Sequence, residues 1–438
     1  MSGGNGRMDD AGRWSRRRAL LGLGAATVVG LEACAAGGRR AGARPRVLVV
    51  GGGYGGATAA KYLRLFSTGK LDVTLVEPRA QFVSSPLSNQ ILGGTLELAD
   101  LTVGYEFLQR RHGVTVVHDR VTRLDIDSRL AHLGGGGRIR YDKVVLSPGI
   151  EPQLDAVEGL AAGRASGRLL QAWSAGPETV ALRRQLEAMP DGGVFALTIP
   201  EAPYRCPPAP YERASLVAAY LKIYKPRSKV LVLDANHDVI AMGGLFKQAW
   251  ADLYGDLLEY RNNSTCVGVD VAAQRLRMEV QEDVRADVFN ILPPVRAGEL
   301  ARHAGLANIN ARWCEVTFPA FASTQAAHVH VVGDSVQGAE KMPKSGHVAN
   351  GQAKLAAAAI VAELLDLDPG ANPMMTNACY SFVSRREAVH SSAVYRFDAS
   401  QNTFKPVAGA GGSSAARSEL EAGTATAWAH NIWSDMLG

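Results

Sequence analysis

Cysteine is scarce in this chain: five residues in 438, none arranged as Cys-x-x-Cys and none matched to histidines at zinc spacing. A structural zinc site is thereby excluded, and so is a sequence-local redox pair. Cys-x-x-Cys-His is also missing, so the sequence offers no c-type haem attachment motif. No transmembrane segment is expected. The apolar stretch 19–31 has thirteen uncharged residues, too few to cross a hydrocarbon core of roughly 30 Å as a helix. Net positive charge is absent from most of the chain as well. Residues 1–44 hold eight arginines and three acids, and the remainder has 39 basic and 39 acidic residues. Without a basic surface, nucleic-acid binding loses its compositional support.

What is present fits two or three domains with ample core: 47% hydrophobic, 20% charged, with 47 glycines and 20 prolines spread along the chain. Ser15-Arg16-Arg17-Arg18 precedes the apolar stretch, and small residues around Ala33-Cys34-Ala35-Ala36 follow it. That order describes a twin-arginine leader, which exports a folded protein, and the mature protein is expected in the periplasm. Leu31-Glu32-Ala33-Cys34 also resembles a lipoprotein box, so a lipid anchor on Cys34 stays a secondary option.

A β-branched run, Arg46–Val50, leads into Gly51-Gly52-Gly53-Tyr54-Gly55-Gly56, and a helical pattern follows over 57–65. Gly51, Gly53 and Gly56 are fingerprint glycines, and Tyr54 and Gly55 lie in the same turn. They allow a tight turn, approach of a pyrophosphate to backbone, and close helix–strand packing. A second strand, Asp72–Val76, ends at Glu77, placed to accept ribose hydroxyls. The segment 141–149 runs into Pro148-Gly149, and 328–334 ends in Gly333-Asp334. Both resemble the supporting motifs of two-dinucleotide flavoprotein disulfide reductases. That resemblance implies FAD, with Asp334 on the ribityl chain.

A second glycine fingerprint belongs after the strand Val194–Ile199, but Arg205-Cys206-Pro207-Pro208 and Pro210 stand there, ahead of a helical run over 215–221. Prolines carry no N–H to cradle phosphate, so this domain is expected not to bind a nicotinamide cofactor. Together with Tyr211-Glu212-Arg213-Ala214, Met342-Pro343-Lys344-Ser345-Gly346 and Asn377-Ala378-Cys379-Tyr380-Ser381, these residues resemble the flavoprotein subunit of flavocytochrome c sulfide dehydrogenase. The resemblance runs from about residue 46 to the C-terminus.

It implies an α/β fold with two Rossmann-like, glutathione-reductase-like domains and a small C-terminal domain. The expected division is a leader at 1–44, a discontinuous FAD domain at 46–160 and 298–369, a degenerate NAD-type domain at 161–297, and a cytochrome-facing domain at 370–438. It also implies a redox disulfide between Cys206 and Cys379, with Glu212 as a base or simply a first-turn helix acid. Lys344 would lie near the flavin and Trp428 toward the haem partner. Hydrosulfide would attack the disulfide, leaving a persulfide and a thiolate that reduces FAD. Cys266 and Cys314 read as ordinary thiols. Two departures stand out: Ser85 occupies the family's covalent-flavin cysteine position, implying noncovalent FAD, and His347 replaces a tyrosine. A sulfide:quinone oxidoreductase shares the same chemistry, but residues 413–438 are mixed in charge with no continuous apolar face. A sulfur-relay partner of a sulfur-oxidation carrier protein is the non-enzyme alternative.

Overall fold

The computed structural model describes residues 43–370 and 372–438. The twin-arginine pattern and Cys34 therefore lie outside the described residues. Along the chain come β1 (Arg46–Val50), α1 (Tyr54–Phe66), β2 (Asp72–Val76), α2 (Asn89–Gly93), β3 (Thr115–Val117) and β4 (Lys143–Leu146). The central part supplies β5 (Val194–Ile199), α3 (Ala209–Tyr224), β6 (Lys229–Asp234), β7 (Leu258–Arg261) and β8 (Val288–Ile291). The chain then returns with β9 (Val316–Thr317), β10 (Ala322–Ser323), β11 (Ala326–Val331) and α4 (Gly346–Leu365). It ends in β12 (Met374–Phe382), β13 (Ala388–Asp398), β14 (Thr403–Ser413) and α5 (Glu419–Leu437).

One sheet has the order β9-β10-β11-β4-β1-β2-β3, and its core strands β11, β4, β1, β2 and β3 are parallel. A parallel sheet is covered on both faces, so its strands read as unbroken apolar runs; Val47, Leu48 and Val49 and Val144, Val145 and Leu146 are all buried. Strand order reverses about β1, with β2 on one side and β4 on the other. Such a switch point opens a crevice at the carboxyl ends of the strands. A second parallel sheet, β7-β6-β5-β8, forms the central part, and β12-β13-β14 is an antiparallel meander.

Helix α4 is long and apolar enough to cross a membrane by length and composition, yet more than half of it is buried inside the protein. Its Ala353, Ala356 and Ala357 and the Ala57 and Ala60 of α1 are fully buried, and Asn350 Nδ2 donates to Thr58 Oγ1 at 2.9 Å. Small side chains let the two helices close on each other, which is the packing of a core helix.

Two sequence expectations need adjusting. Helix α3 begins at Ala209, six residues before the expected run, because a first turn has free N–H groups and tolerates Pro210. Residues 413–438 do hold an apolar stripe: Ala422, Ala425, Ala429, Ile432, Trp433 and Met436 of α5 are buried at helical spacing. The stripe faces inward, and Lys61 Nζ of α1 caps the helix by donating to Ser434 O at 3.1 Å.

Candidate active site

The turn after β1 is steric in origin. Gly51 has φ +95°, and a Cβ there would lie 2.4 Å from the Ser147 carbonyl oxygen; at Gly56 it would lie 1.7 Å from the Gly51 oxygen. Only glycine fits either place. The turn opens into a cavity of ≈ 590 Å³ at the strand ends. Gly51, Gly53, Tyr54, Gly55, Glu77, Pro148, Gly149, Gly333 and Asp334 all line it, so nine of the cofactor residues read from sequence meet in one place. Gly56 packs behind the turn instead.

Glu77 is buried; its Oε2 accepts the Gly52 N–H at 2.7 Å and its Oε1 the Arg79 Nε–H at 2.8 Å. Burial works to raise this carboxyl, but the Arg79 guanidinium and the backbone donors prevail and hold it below the usual range. Burial raises Asp334, with Arg205 and Lys344 opposing, and its carboxylate has no side-chain hydrogen-bond partner among the described residues. A glycine turn that admits no side chain and an unanswered carboxylate fit the pyrophosphate and hydroxyls of a dinucleotide.

Lys344 departs from expectation. It does not line the cavity: its Nζ donates to the Asp334 and Val336 carbonyls at 2.9 and 2.6 Å and sits 3.6 Å from the Trp313 ring centroid. Burial brings its ammonium down to about 8. A long stem beside carbonyl acceptors finds partners in its own loop, and only its backbone serves the cavity wall, through the Cys206 N–H to Lys344 O bond of 2.7 Å.

Cys206 holds the left-handed φ of 50° just before α3 and lines the cavity. Cys379 comes from the middle of β12, where Asn377 Nδ2 lies 3.4 Å from its Sγ, and Asn377 is itself fixed by the Ser345 hydroxyl at 2.7 Å. Both are free thiols in this structure. Burial raises both; Cys379 and then Glu212 add to the rise at Cys206, while Arg205 opposes it. The fold therefore brings two thiols 173 positions apart into electrostatic reach. Cys314 is fully buried and Cys266 partly so.

Glu212, on the first turn of α3, accepts from Asn89 Nδ2 at 2.7 Å and from the Phe382 N–H at 2.9 Å. It thus ties α2 and α3 to the strand that carries Cys379. Burial raises its carboxyl from 4.5 to about 7, against those two donors and Arg213. The folded chain then holds a proton that the unfolded chain has released. Stability is expected to fall as pH rises from about 4.5 to about 7, by up to ~1.4 kcal/mol per unit. Urea unfolding of wild type and Glu212→Gln across that window checks this: the variant loses the slope, and parallel curves would exclude it.

The central sheet shows what became of a nicotinamide site. Asp234 ends β6, where a Rossmann half places its ribose-binding acid. Here the carboxylate is fully buried and accepts Tyr211 OH at 2.8 Å, Tyr260 OH at 2.9 Å and Asn236 Nδ2 at 2.7 Å. Tyr211 in turn packs with Phe246 and Trp250 in a tilted aromatic cluster, centroids 5.8 to 6.4 Å apart. The acid at this strand end is thus engaged within the protein.

Three family models match the chain. Residues 179–293 match the central part of the sulfide dehydrogenase [flavocytochrome c] flavoprotein chain, 371–437 the flavin-binding part of flavocytochrome c sulphide dehydrogenase, and 45–175 the pyridine nucleotide-disulphide oxidoreductases. A 46-residue stretch is 56% identical to the sulfide dehydrogenase flavoprotein chain of Chlorobaculum thiosulfatiphilum, covering 94% of that sequence and 10% of this chain. The chain belongs to the flavocytochrome c sulfide dehydrogenase flavoprotein family. Membership agrees with the expected α/β fold and with a flavin-binding part. Mitochondrial sulfide:quinone oxidoreductases are also similar. The mouse protein is 25% identical over 307 residues, 66% of this chain and 65% of the relative; the Dictyostelium discoideum protein is 24% identical over 276, 60% and 59%. The match thus spans less than two thirds of either relative. Among solved structures, the sulfide:quinone oxidoreductase of Aquifex aeolicus superposes with TM-score 0.73 at 17% identity, covering 90% of this chain and 91% of that one. That likeness speaks to fold alone.

Proposed function

We propose that this flavoprotein oxidises sulfide through a Cys206–Cys379 disulfide and passes the electrons by way of FAD to a c-type cytochrome on a separate chain. The observation that carries the reading is that Cys206 lines the cavity and Cys379 lies within electrostatic reach of it. Hydrosulfide attacks one sulfur of the disulfide; an S–S bond forms, the original one breaks, one cysteine becomes a persulfide and the other leaves as thiolate. FAD, when bound, would supply a two-electron acceptor. The chain's own part is to hold the pair, with Cys206 fixed through its N–H to Lys344 O and Cys379 beside Asn377, and to keep water out by burial. Glu212 lies in electrostatic reach of Cys206 and holds a proton near neutrality, which suits a base or acid for the departing sulfur.

The FAD is held without a covalent bond, since the Ser85 hydroxyl cannot form a thioether and accepts hydrogen bonds from Arg205 Nη1 and the Ala175 N–H, both at 3.3 Å. A cytochrome partner is supported by the family and by Trp428, whose ring stands 5.9 Å from His347 and 6.0 Å from Tyr380, the neighbour of Cys379. Residues 1–44 take the folded protein to the periplasm by the twin-arginine route, with lipidation at Cys34 as the lesser option.

Quinone is the competing acceptor, favoured by the sulfide:quinone oxidoreductase relatives. Against it, the apolar stripe of α5 is buried in the protein itself and offers no face to a bilayer. One experiment on purified protein tests the reading. Acid precipitation should release all yellow colour, and sulfide-bleached enzyme should be reoxidised by cytochrome c and not by a soluble quinone. Colour left on the pellet would overturn the noncovalent assignment, and reoxidation by quinone alone would overturn the acceptor.

A further inference from the structure

The wall of the cavity beside Cys206 holds a cation that is hydrogen-bonded to no carboxylate among the described residues, although Asp334 feels its charge. Arg205 precedes Cys206 and lines the same cavity. Its one hydrogen-bonded side chain is neutral, the Ser85 hydroxyl at 3.3 Å from Nη1. Its Nε–H is buried and has no hydrogen-bond partner. Among the described residues Arg205 makes no ion pair. Arg213, eight residues further on, is the opposite case: four acceptors surround its guanidinium. A guanidinium stays charged at every physiological pH, and a buried donor left empty costs free energy. Arg296 and Arg302 also have an unpartnered Nε, but each is ion-paired to Glu151, whereas Arg205 on the cavity wall is left open to a ligand.

The surroundings define that ligand. The positive charge acts on Cys206 and on Asp334, opposing the rise that burial imposes on each. Behind it, the amino end of α3, sixteen residues long, adds partial positive charge at Ala209 and Pro210, which also line the cavity. The open position therefore favours a small anion at the sulfur of Cys206.

We propose that Arg205 is the residue that receives the sulfur substrate, binding hydrosulfide as the anion at its open Nε edge, with Ser85 holding the guanidinium in place. This rests on the sulfide reading and gives that site its selectivity for the charged form. Neutral hydrogen sulfide gains little from a guanidinium, whereas an anion gains a charge-assisted hydrogen bond in a place of low dielectric. Ser85 matters as a neutral support: a carboxylate there would fill the edge that the substrate needs.

The test uses the FAD-loaded full chain at one fixed pH. In anaerobic rapid mixing, Arg205→Met is expected to raise the half-saturating sulfide concentration about tenfold or more while the limiting rate stays within about threefold. Arg205→Lys, which keeps the charge, should recover most of that loss. Thiocyanate, an unreactive anion, should bind wild type by calorimetry, compete with sulfide, and fail to bind Arg205→Met. Unchanged half-saturation, a loss confined to the limiting rate, or thiocyanate binding that survives in Arg205→Met would each overturn the proposal. So would loss of FAD from Arg205→Met with anion binding intact, since Arg205 would then serve the cofactor. If sulfide fails to bleach even wild type, the sulfide reading fails, and the calorimetry still decides whether Arg205 is an anion site.

Discussion

Replacing either Cys206 or Cys379 with serine is expected to slow the bleaching of the flavin by sulfide about a thousandfold or more, with FAD content unchanged. The expectation follows from what each sulfur does. A disulfide offers hydrosulfide a soft electrophile, and breaking it yields both the persulfide and the leaving thiolate. With one sulfur gone there is neither bond to break nor leaving group. Because the two act as one unit, the double variant should be no slower than either single one. Burial raises both thiols, so this wall disfavours a standing pair of thiolates and suits uncharged forms of the two sulfurs. Cys314→Ser is the control, since this fully buried thiol sits among core residues away from the cavity lining. Anaerobic titration on the three variants reads the result. Wild-type rates in both Cys206→Ser and Cys379→Ser would end the disulfide mechanism.

Much of the first sheet can be read in the chain itself. Arg46–Val50, Asp72–Val76 and Val194–Ile199 are apolar, β-branched runs that stop at glycine, acid or proline, and the structure gives them those same bounds. The fingerprint glycines are local too, because the sterics they relieve come from the turn and the adjoining strand. What escapes the sequence depends on distant partners. Asp234 looks like any strand-end acid until Tyr211 and Tyr260, 23 and 26 positions away, occupy it. The α5 stripe is hidden because three of its positions are alanine, weakly apolar and easily read as neutral. Lys344 reads as a flavin-side cation, yet its ammonium turns to carbonyls eight and ten residues back. The open edge of Arg205 has no sequence signal at all, since it consists of what its neighbours do not supply.

The largest expected effect on stability lies eight residues beyond that open edge. Arg213→Met should destabilise the protein by about 3–5 kcal/mol, measured by urea unfolding. Arg213 is buried, and its guanidinium donates to Asn89 Oδ1 at 3.0 Å, Gln171 O at 2.7 Å, Asn290 Oδ1 at 2.8 Å and Ala172 O at 2.7 Å. These partners belong to α2, to the segment before Trp173 and to β8, so one side chain joins three elements around α3. Burial lowers its guanidinium to about 10, with Arg205 contributing, which still leaves it charged at neutral pH. Methionine fills much of the volume but leaves Asn89 Oδ1, Asn290 Oδ1 and Ala172 O without donors, only Gln171 O keeping one from Asn290 Nδ2, and buried acceptors cannot turn to water. Arg213→Lys should recover only a minor part, because one ammonium cannot span acceptors set out for a planar fork. Arg205→Met, in contrast, removes a charge on which no buried acceptor except the Ser85 hydroxyl depends, and should shift stability by less than about 1 kcal/mol. Comparable losses in the two variants would mean that Arg205 is also a structural tie. A large loss at Arg213 alone would mean that the fold answers one guanidinium completely and leaves the other for a ligand.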